Sequence, residues 1–144
     1  MKKILIVDDR TENRIMLANY FKLFSSNERM IILQADNSSA AVDLALSEKP
    51  DLILMDIKLE TDEAGLEAAR RIKADEAMKN IPIWAVTAYA SLGENGIAEE
   101  HKLCQAAGCS DYILKPFNPA ELMKKISAAL DLPIPDEILK RMEN

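Results

Sequence analysis

Short apolar runs along this chain end on polar residues whose types could together handle a metal ion and an anionic group. Ile4-Leu5-Ile6-Val7 runs into Asp8-Asp9, Leu52-Ile53-Leu54-Met55 into Asp56, Ile83-Trp84-Ala85-Val86 into Thr87, and Tyr112-Ile113-Leu114 into Lys115. Carboxylates such as Asp8, Asp9 and Asp56 repel one another at close range unless a cation lies among them. An all-oxygen set favours a hard ion such as Mg²⁺, with Mn²⁺ as an alternative, over zinc. Lys115 adds a positive point charge on a long stem, and Thr87 adds a hydroxyl donor. The set suits a tetrahedral dianion attached at or near Asp56, because a carboxylate oxygen can attack phosphorus while metal and lysine neutralise the equatorial oxygens. Singly, a strand-end aspartate is usually a turn former and a lone lysine is usually solvated. Their joint occurrence at the ends of successive runs carries the reading.

Something must bring those ends together. Apolar runs this short, bounded by polar and turn residues, read as strands covered on both faces. Asp56 then stands at the C-terminal edge of a parallel sheet, where open α/β folds place their sites. Between the runs, Thr11 is expected to cap a helix with Ile15, Met16, Leu17, Phe21 and Phe24 on its apolar stripe, ended by Ser25-Ser26-Asn27. A second strand covers Met30 to Leu33. Ser38 or Ser39 is expected to cap a helix to about Leu46 that buries Ala41, Val42, Ala45 and Leu46. Glu63 to about Ala74 reads as a helix with Leu66, Ala69 and Ile72 inward. Ala88 to Gly96 reads as an irregular loop before a helix from about Ile97 to Ala107, closed by Gly108 at positive φ. Pro119 starts a last helix running to Leu130. Alternation of strand and helix predicts right-handed crossovers, hence a doubly wound parallel sheet with helices on both faces.

With 144 residues the chain can form one domain that buries roughly two thirds of its unfolded surface. Residues 1–130 hold the alternating units. Residues 131–144 form a C-terminal extension, where Pro133 and Pro135 break the preceding helix and Ile134, Ile138, Leu139 and Met142 are expected to form one apolar side of a short terminal helix. That extension reads as a tail docked on its own domain, as a partner-binding or homodimer element, or as the start of a linker. A net charge of -6 without a basic block argues against direct nucleic-acid binding. Gly65, Gly93, Gly96 and Gly108 make neither a dinucleotide fingerprint nor a phosphate loop. The N-terminal apolar run is cut by Asp8-Asp9, so neither a signal peptide nor membrane insertion fits, and a cytoplasmic location with reduced cysteines is expected. Cys104 and Cys109 have no further ligand at metal spacing and read as buried or partly buried thiols.

Asp8-Asp9, Leu52-Ile53-Leu54-Met55-Asp56, Thr87-Ala88 and Lys115-Pro116-Phe117 resemble the CheY-like receiver domain of two-component response regulators, over residues 2 to about 130. The resemblance implies a flavodoxin-like, five-stranded parallel sheet in order 2-1-3-4-5. It also implies phosphorylation of Asp56 by a sensor histidine kinase or a histidine phosphotransfer protein, in a reaction the receiver itself helps to catalyse. Asp9 and Asp56 would ligate Mg²⁺ directly, Asp8 through water, and Lys58 through its backbone carbonyl. Thr87, the Ala88 amide and Lys115 would hold the phosphoryl oxygens, and Tyr112 would be the aromatic switch that turns inward as Thr87 moves. The Lys115-Pro116 peptide would be cis. Phosphorylation adds about two negative charges and new acceptors at Asp56, which fits a pull on Thr87 and a reshaped face for an unidentified downstream protein.

The chain departs from the family pattern at Glu60, four beyond the acceptor where proline is common, at Arg10 after the acidic pair, and in the length of the Ala88 to Gly108 segment. These departures bear on dephosphorylation, kinase choice and the signalling surface. The long segment and the extension also motivate an alternative, a receiver-like interaction module that works without phosphate. A metal-dependent phosphatase of small substrates would need a general acid that the sequence does not supply separately.

Overall fold

The computed structural model describes residues 2–22, 30–88 and 96–143. Along β1 (Lys2–Val7) and β3 (Leu52–Asp56), successive side chains point to opposite faces and both sets are apolar, so each strand needs cover on two sides. Leu5, Val7, Ile53 and Met55 enter one core together with α2 (Ser38–Glu48), α3 (Ala64–Ala74) and α4 (Gly96–Ala106). Ile4, Ile6, Leu52 and Leu54 enter the other with α1 (Thr11–Phe21) and α5 (Pro119–Leu130). β4 (Ile83–Ala88) divides the same way, Ile83 and Ala85 against Trp84 and Val86. β2 (Met30–Ala35) and β5 (Asp111–Lys115) form the edges.

All five strands are parallel in the order β2-β1-β3-β4-β5, as expected. The order reverses at β1, whose neighbours on either side are β2 and β3, and a crevice opens at the C-terminal ends of β1 and β3. Register aligns those ends: Val7 pairs with Met55, Asp56 with Val86, and Ala88 with Lys115. Gly65 lets α3 dock directly behind Asp56. A Cβ there would lie 2.0 Å from the Asp56 carbonyl oxygen, and the Gly65 amide donates to the Ile57 carbonyl at 2.8 Å.

Several local expectations are corrected. Thr11 is the first helical residue of α1 and not its cap, since Arg10 occupies that position without a side-chain bond. The turn is instead made upstream, where Asp8 Oδ1 accepts the Arg10 amide at 2.9 Å. α2 is capped by Asn37, whose Oδ1 accepts the Ala40 amide at 2.9 Å, and not by Ser38 or Ser39. Ser38 is drawn to Glu60, to which it donates its amide and, at 2.6 Å, its hydroxyl. Ile15, Met16 and Leu46 are exposed, whereas Leu17, Ala18 and Phe21 face the sheet from α1, and Ala41, Val42 and Ala45 from α2. A helix laid on one sheet face offers only a narrow stripe to it, and sequence hydrophobicity alone misjudged the stripe's edges.

Phe24, Ser25-Ser26-Asn27 and residues 89–95, where an irregular loop was expected, lie outside the described residues. Ala88 belongs to β4, and α4 begins at Gly96, with Gly108 after it at φ +97°. The Lys115-Pro116 peptide is cis. The extension forms α6 (Asp136–Glu143), which packs against α5, while Leu132 and Ile134 join the adjoining core. The side chains of Leu139 and Met142 lie outside the described set. Among the described residues no helix is long and apolar enough to cross a membrane.

Candidate functional site

At the end of β1, Asp8 is buried to 3% exposure, yet its carboxylate is fully engaged. Oδ1 accepts from the Arg10 amide, and Oδ2 accepts from Asn13 Nδ2 at 3.2 Å and from Lys115 Nζ at 2.8 Å. Arg14 Nη1 donates to the Asp8 carbonyl at 2.7 Å, so the first turns of α1 brace this corner. Asp56 lies across the crevice, its Oδ2 3.3 Å from Lys115 Nζ and its Oδ1 3.3 Å from the Lys58 amide. Lys115 reaches both acids because β5 ends level with Ala88, one strand beyond β4.

Burial is the largest influence on Asp56 and raises its pKa to about 6, opposed by the Lys115 ammonium and reinforced by the Asp8 charge. Burial also works against the Lys115 ammonium, but its two carboxylate partners outweigh it and hold its pKa above the usual lysine value. Asp9 stands exposed at the rim. One carboxylate oxygen from each of Asp8, Asp9 and Asp56 lies within 4.8 Å of the others. Hard oxygen donors this close, with one acid open to solvent, fit a divalent cation that keeps several waters. A cleft of about 330 Å³, lined by Asp9, Asp56, Lys58, Thr87, Ala88 and Lys115, leaves room beside them for an anionic group. Every residue singled out at the four strand ends therefore meets at one edge.

On the β4 side the structure adds partners that the sequence did not name. Thr87 is 1% exposed, and its hydroxyl donates to Glu100 Oε1 of α4 at 2.9 Å. Tyr112 stacks on His101, with ring centroids 5.3 Å apart, and its buried hydroxyl has no hydrogen-bond partner among the described residues. Burial, with Glu100 adding negative potential, pushes the Tyr112 phenol up to about 12. Glu100 was not visible as a functional residue because nothing in an exposed-looking helix marks which acid will meet a strand hydroxyl. Asn13 and Gly65 were equally hidden. Their only signals were nearness to Asp8 in the chain and a glycine in the first turn of α3.

A sequence profile of the response regulator receiver domain family matches residues 4–127. The chain belongs to the response regulator receiver family. This receiver is 39% identical over 130 residues to the phosphate regulon transcriptional regulatory protein PhoB of Pseudomonas aeruginosa, covering 90% of this chain and 52% of PhoB, about half of that protein. It is 34% identical over 129 residues to the polar-differentiation response regulator DivK of Brucella anthropi, covering 90% and 96% of the two chains. The receiver domain of the sensor histidine kinase PA1611 from Pseudomonas aeruginosa, solved with a magnesium ion coordinated in its active site cleft, superposes with a TM-score of 0.74. That likeness has 29% identity and covers 90% of this chain and 98% of the other. Family membership and the acidic cluster make a phosphorylation-based switch the general role of this receiver.

Proposed function

We propose that this receiver accepts a phosphoryl group onto Asp56 from the phosphohistidine of a sensor histidine kinase or a histidine phosphotransfer protein, and that the modification switches its binding to a downstream protein. The observation that carries the reading is the Lys115 ammonium bridging Asp8 and Asp56 beside Asp9, at the mouth of a cleft that also exposes Lys58 and Ala88. In this reading an Asp56 carboxylate oxygen forms the bond to phosphorus as the histidine N–P bond breaks and the imidazole leaves. Lys115 shares its charge with a phosphoryl oxygen, and the Thr87 hydroxyl and Ala88 amide supply the remaining donors. Asp9 and Asp56, with Asp8 and the Lys58 carbonyl, are the residues that would hold Mg²⁺ or Mn²⁺. Such an ion supplies positive charge that offsets repulsion among the acids and the negative charge of the transferring group.

Thr87 then exchanges its Glu100 partner for the phosphoryl group, which alters the surroundings of Tyr112 on the α4–β5 face. A histidine-kinase donor fits a cytoplasmic location. Residues 1–130 act as the receiver unit, with 131–144 as an appendage docked on α5.

Incubation with acetyl phosphate and Mg²⁺, read by intact mass, is expected to add one phosphoryl group to the wild-type chain and none to Asp56→Asn. An unmodified wild type beside a competent receiver would end the proposal. A second reading is favoured by one observation: Tyr112, the expected switch residue, stacks on His101 with its hydroxyl enclosed. A phosphate-independent interaction module would bind its partner equally well as wild type and as Asp56→Asn.

A further inference from the structure

The chain leaves α4 through a closed C-terminal motif. The Cys109 amide donates to the Cys104 carbonyl at 2.9 Å, the Gly108 amide donates to the Gln105 carbonyl at 3.0 Å, and Gly108 takes φ +97°. These bonds define the Schellman arrangement, in which the residue after the glycine folds back on the one five positions earlier, usually in an apolar contact. Here both contacting residues are cysteines. Buried Cys104 belongs to one core cluster, and half-buried Cys109 packs against that cluster. The backbone motif therefore brings the two residues together, independently of either thiol's chemistry.

A fixed cation adjoins the pair. The stem of Lys73 from α3 lies over Gly108, where an added Cβ would be 2.6 Å from Lys73 Cγ. The Lys73 ammonium is tethered by the carbonyls of Lys79 and Ile81, and its charge acts on Cys109. The Cys104 hydrogen bond first, and Lys73 after it, hold the Cys109 thiol below its ordinary pKa against the opposing effect of burial. Cys104 is pushed the other way, by its bond to Cys109 and by burial. A partly open thiol with a lowered pKa, beside a buried one pushed up, divides the roles of attacking and resolving cysteine. Neither residue belongs to the acidic cleft.

We propose that Cys104 and Cys109 form a peroxide-responsive modification site that closes to an intramolecular disulfide. The Cys109 sulfur attacks one oxygen of hydrogen peroxide, the O–O bond breaks, and hydroxide leaves with Cys109 as a sulfenic acid. Cys104 sulfur then attacks the Cys109 sulfur, the S–O bond breaks, and the Cys104 proton leaves with the departing oxygen as water. Two thiols are oxidised by two electrons and one peroxide is reduced. Cys104 shares a core cluster with Tyr112 and sits one helical turn after Glu100, so the bond fastens the end of α4 to the start of β5.

Treatment of the full chain with stoichiometric hydrogen peroxide is the test, read by intact mass and by N-ethylmaleimide labelling after denaturation. The expected product is lighter by about two mass units, has lost both labelling sites, and recovers them with dithiothreitol. Cys104→Ser should accumulate a sulfenic acid at Cys109 that dimedone traps, and Cys109→Ser should leave Cys104 unoxidised at the same dose. The wild-type reading stands even if a variant fails to fold. Over-oxidised Cys109 without a disulfide, a covalent dimer as the main product, or two thiols that both remain free would each overturn the assignment. Because the readout is thiol chemistry, it is independent of whether Asp56 accepts phosphate.

Discussion

The two sides of the sheet's C-terminal edge are built on opposite plans. On the β1–β3 side each buried acid is held several times over: Asp8 accepts from Arg10, Asn13 and Lys115, and Asp56 from Lys58 and Lys115. On the β4–α4–β5 side, the Thr87 hydroxyl rests on Glu100, while the Tyr112 hydroxyl is buried without a partner among the described residues. Under the proposed function, the acidic side is fixed in advance to hold ion and phosphoryl group, and the hydroxyl side keeps partners it can exchange.

Substituting the bridging amine should have the largest effect. Lys115→Met removes the half-buried donor shared by Asp8 and Asp56, and phosphorylation by acetyl phosphate should slow by about 10²-fold or more. A rate near that of the wild type would show that the rigid side is not organised by its lysine.

Mg²⁺ should stabilise the chain by about 2.7 kcal/mol when present at about one hundred times its dissociation constant. Asp9→Asn should lose most of that gain in thermal melts. An equal gain in both proteins would place the ion elsewhere.

In metal-free buffer the sign reverses for Asp56. Its folded pKa is raised from 3.8 to about 6, so the folded state binds the extra proton between those values. Its contribution is therefore favourable at low pH and is lost as pH rises through that window. Asp56→Asn should be more stable than wild type at neutral pH by up to about 3 kcal/mol, with the gap closing below about pH 4. Urea melts across pH measure it, and a pH-independent difference would mean that burial does not strain the carboxylate.

The smallest effect tests the exchangeable side. Glu100→Ala frees the Thr87 hydroxyl from a bond worth about 1 kcal/mol, and phosphorylation should quicken about fivefold. An unchanged rate would show that Glu100 does not compete for Thr87, and the contrast between the two sides would lose its functional meaning.

Much of this was legible in order along the chain. The apolar runs ending in Asp8-Asp9, Asp56, Thr87 and Lys115 predicted both the sheet and the edge where those residues meet, because a strand buried on both faces must be apolar throughout and polar only where it ends. Gly108 announced the end of α4, since a residue there needs positive φ. The caps were less legible: Thr11, Ser38 and Asn37 are all competent by type, and the choice fell to competition from Asp8 and Glu60. Ile15, Met16 and Leu46 were misplaced because a helix's burial depends on how it is rotated against the sheet, a property of packing rather than of composition.

By itself, then, the sequence determined the strand sequence, the single acidic edge and the identity of the groups delivered there, because backbone periodicity and strand burial are local constraints that residue type records. Only the tertiary structure decided which groups touch: that Lys115 bridges Asp8 and Asp56, that Thr87 leans on Glu100, and that Cys109 folds back onto Cys104. Those contacts depend on register between strands and on how each helix is turned against the sheet, and both are set by the packing of side chains distant in the chain.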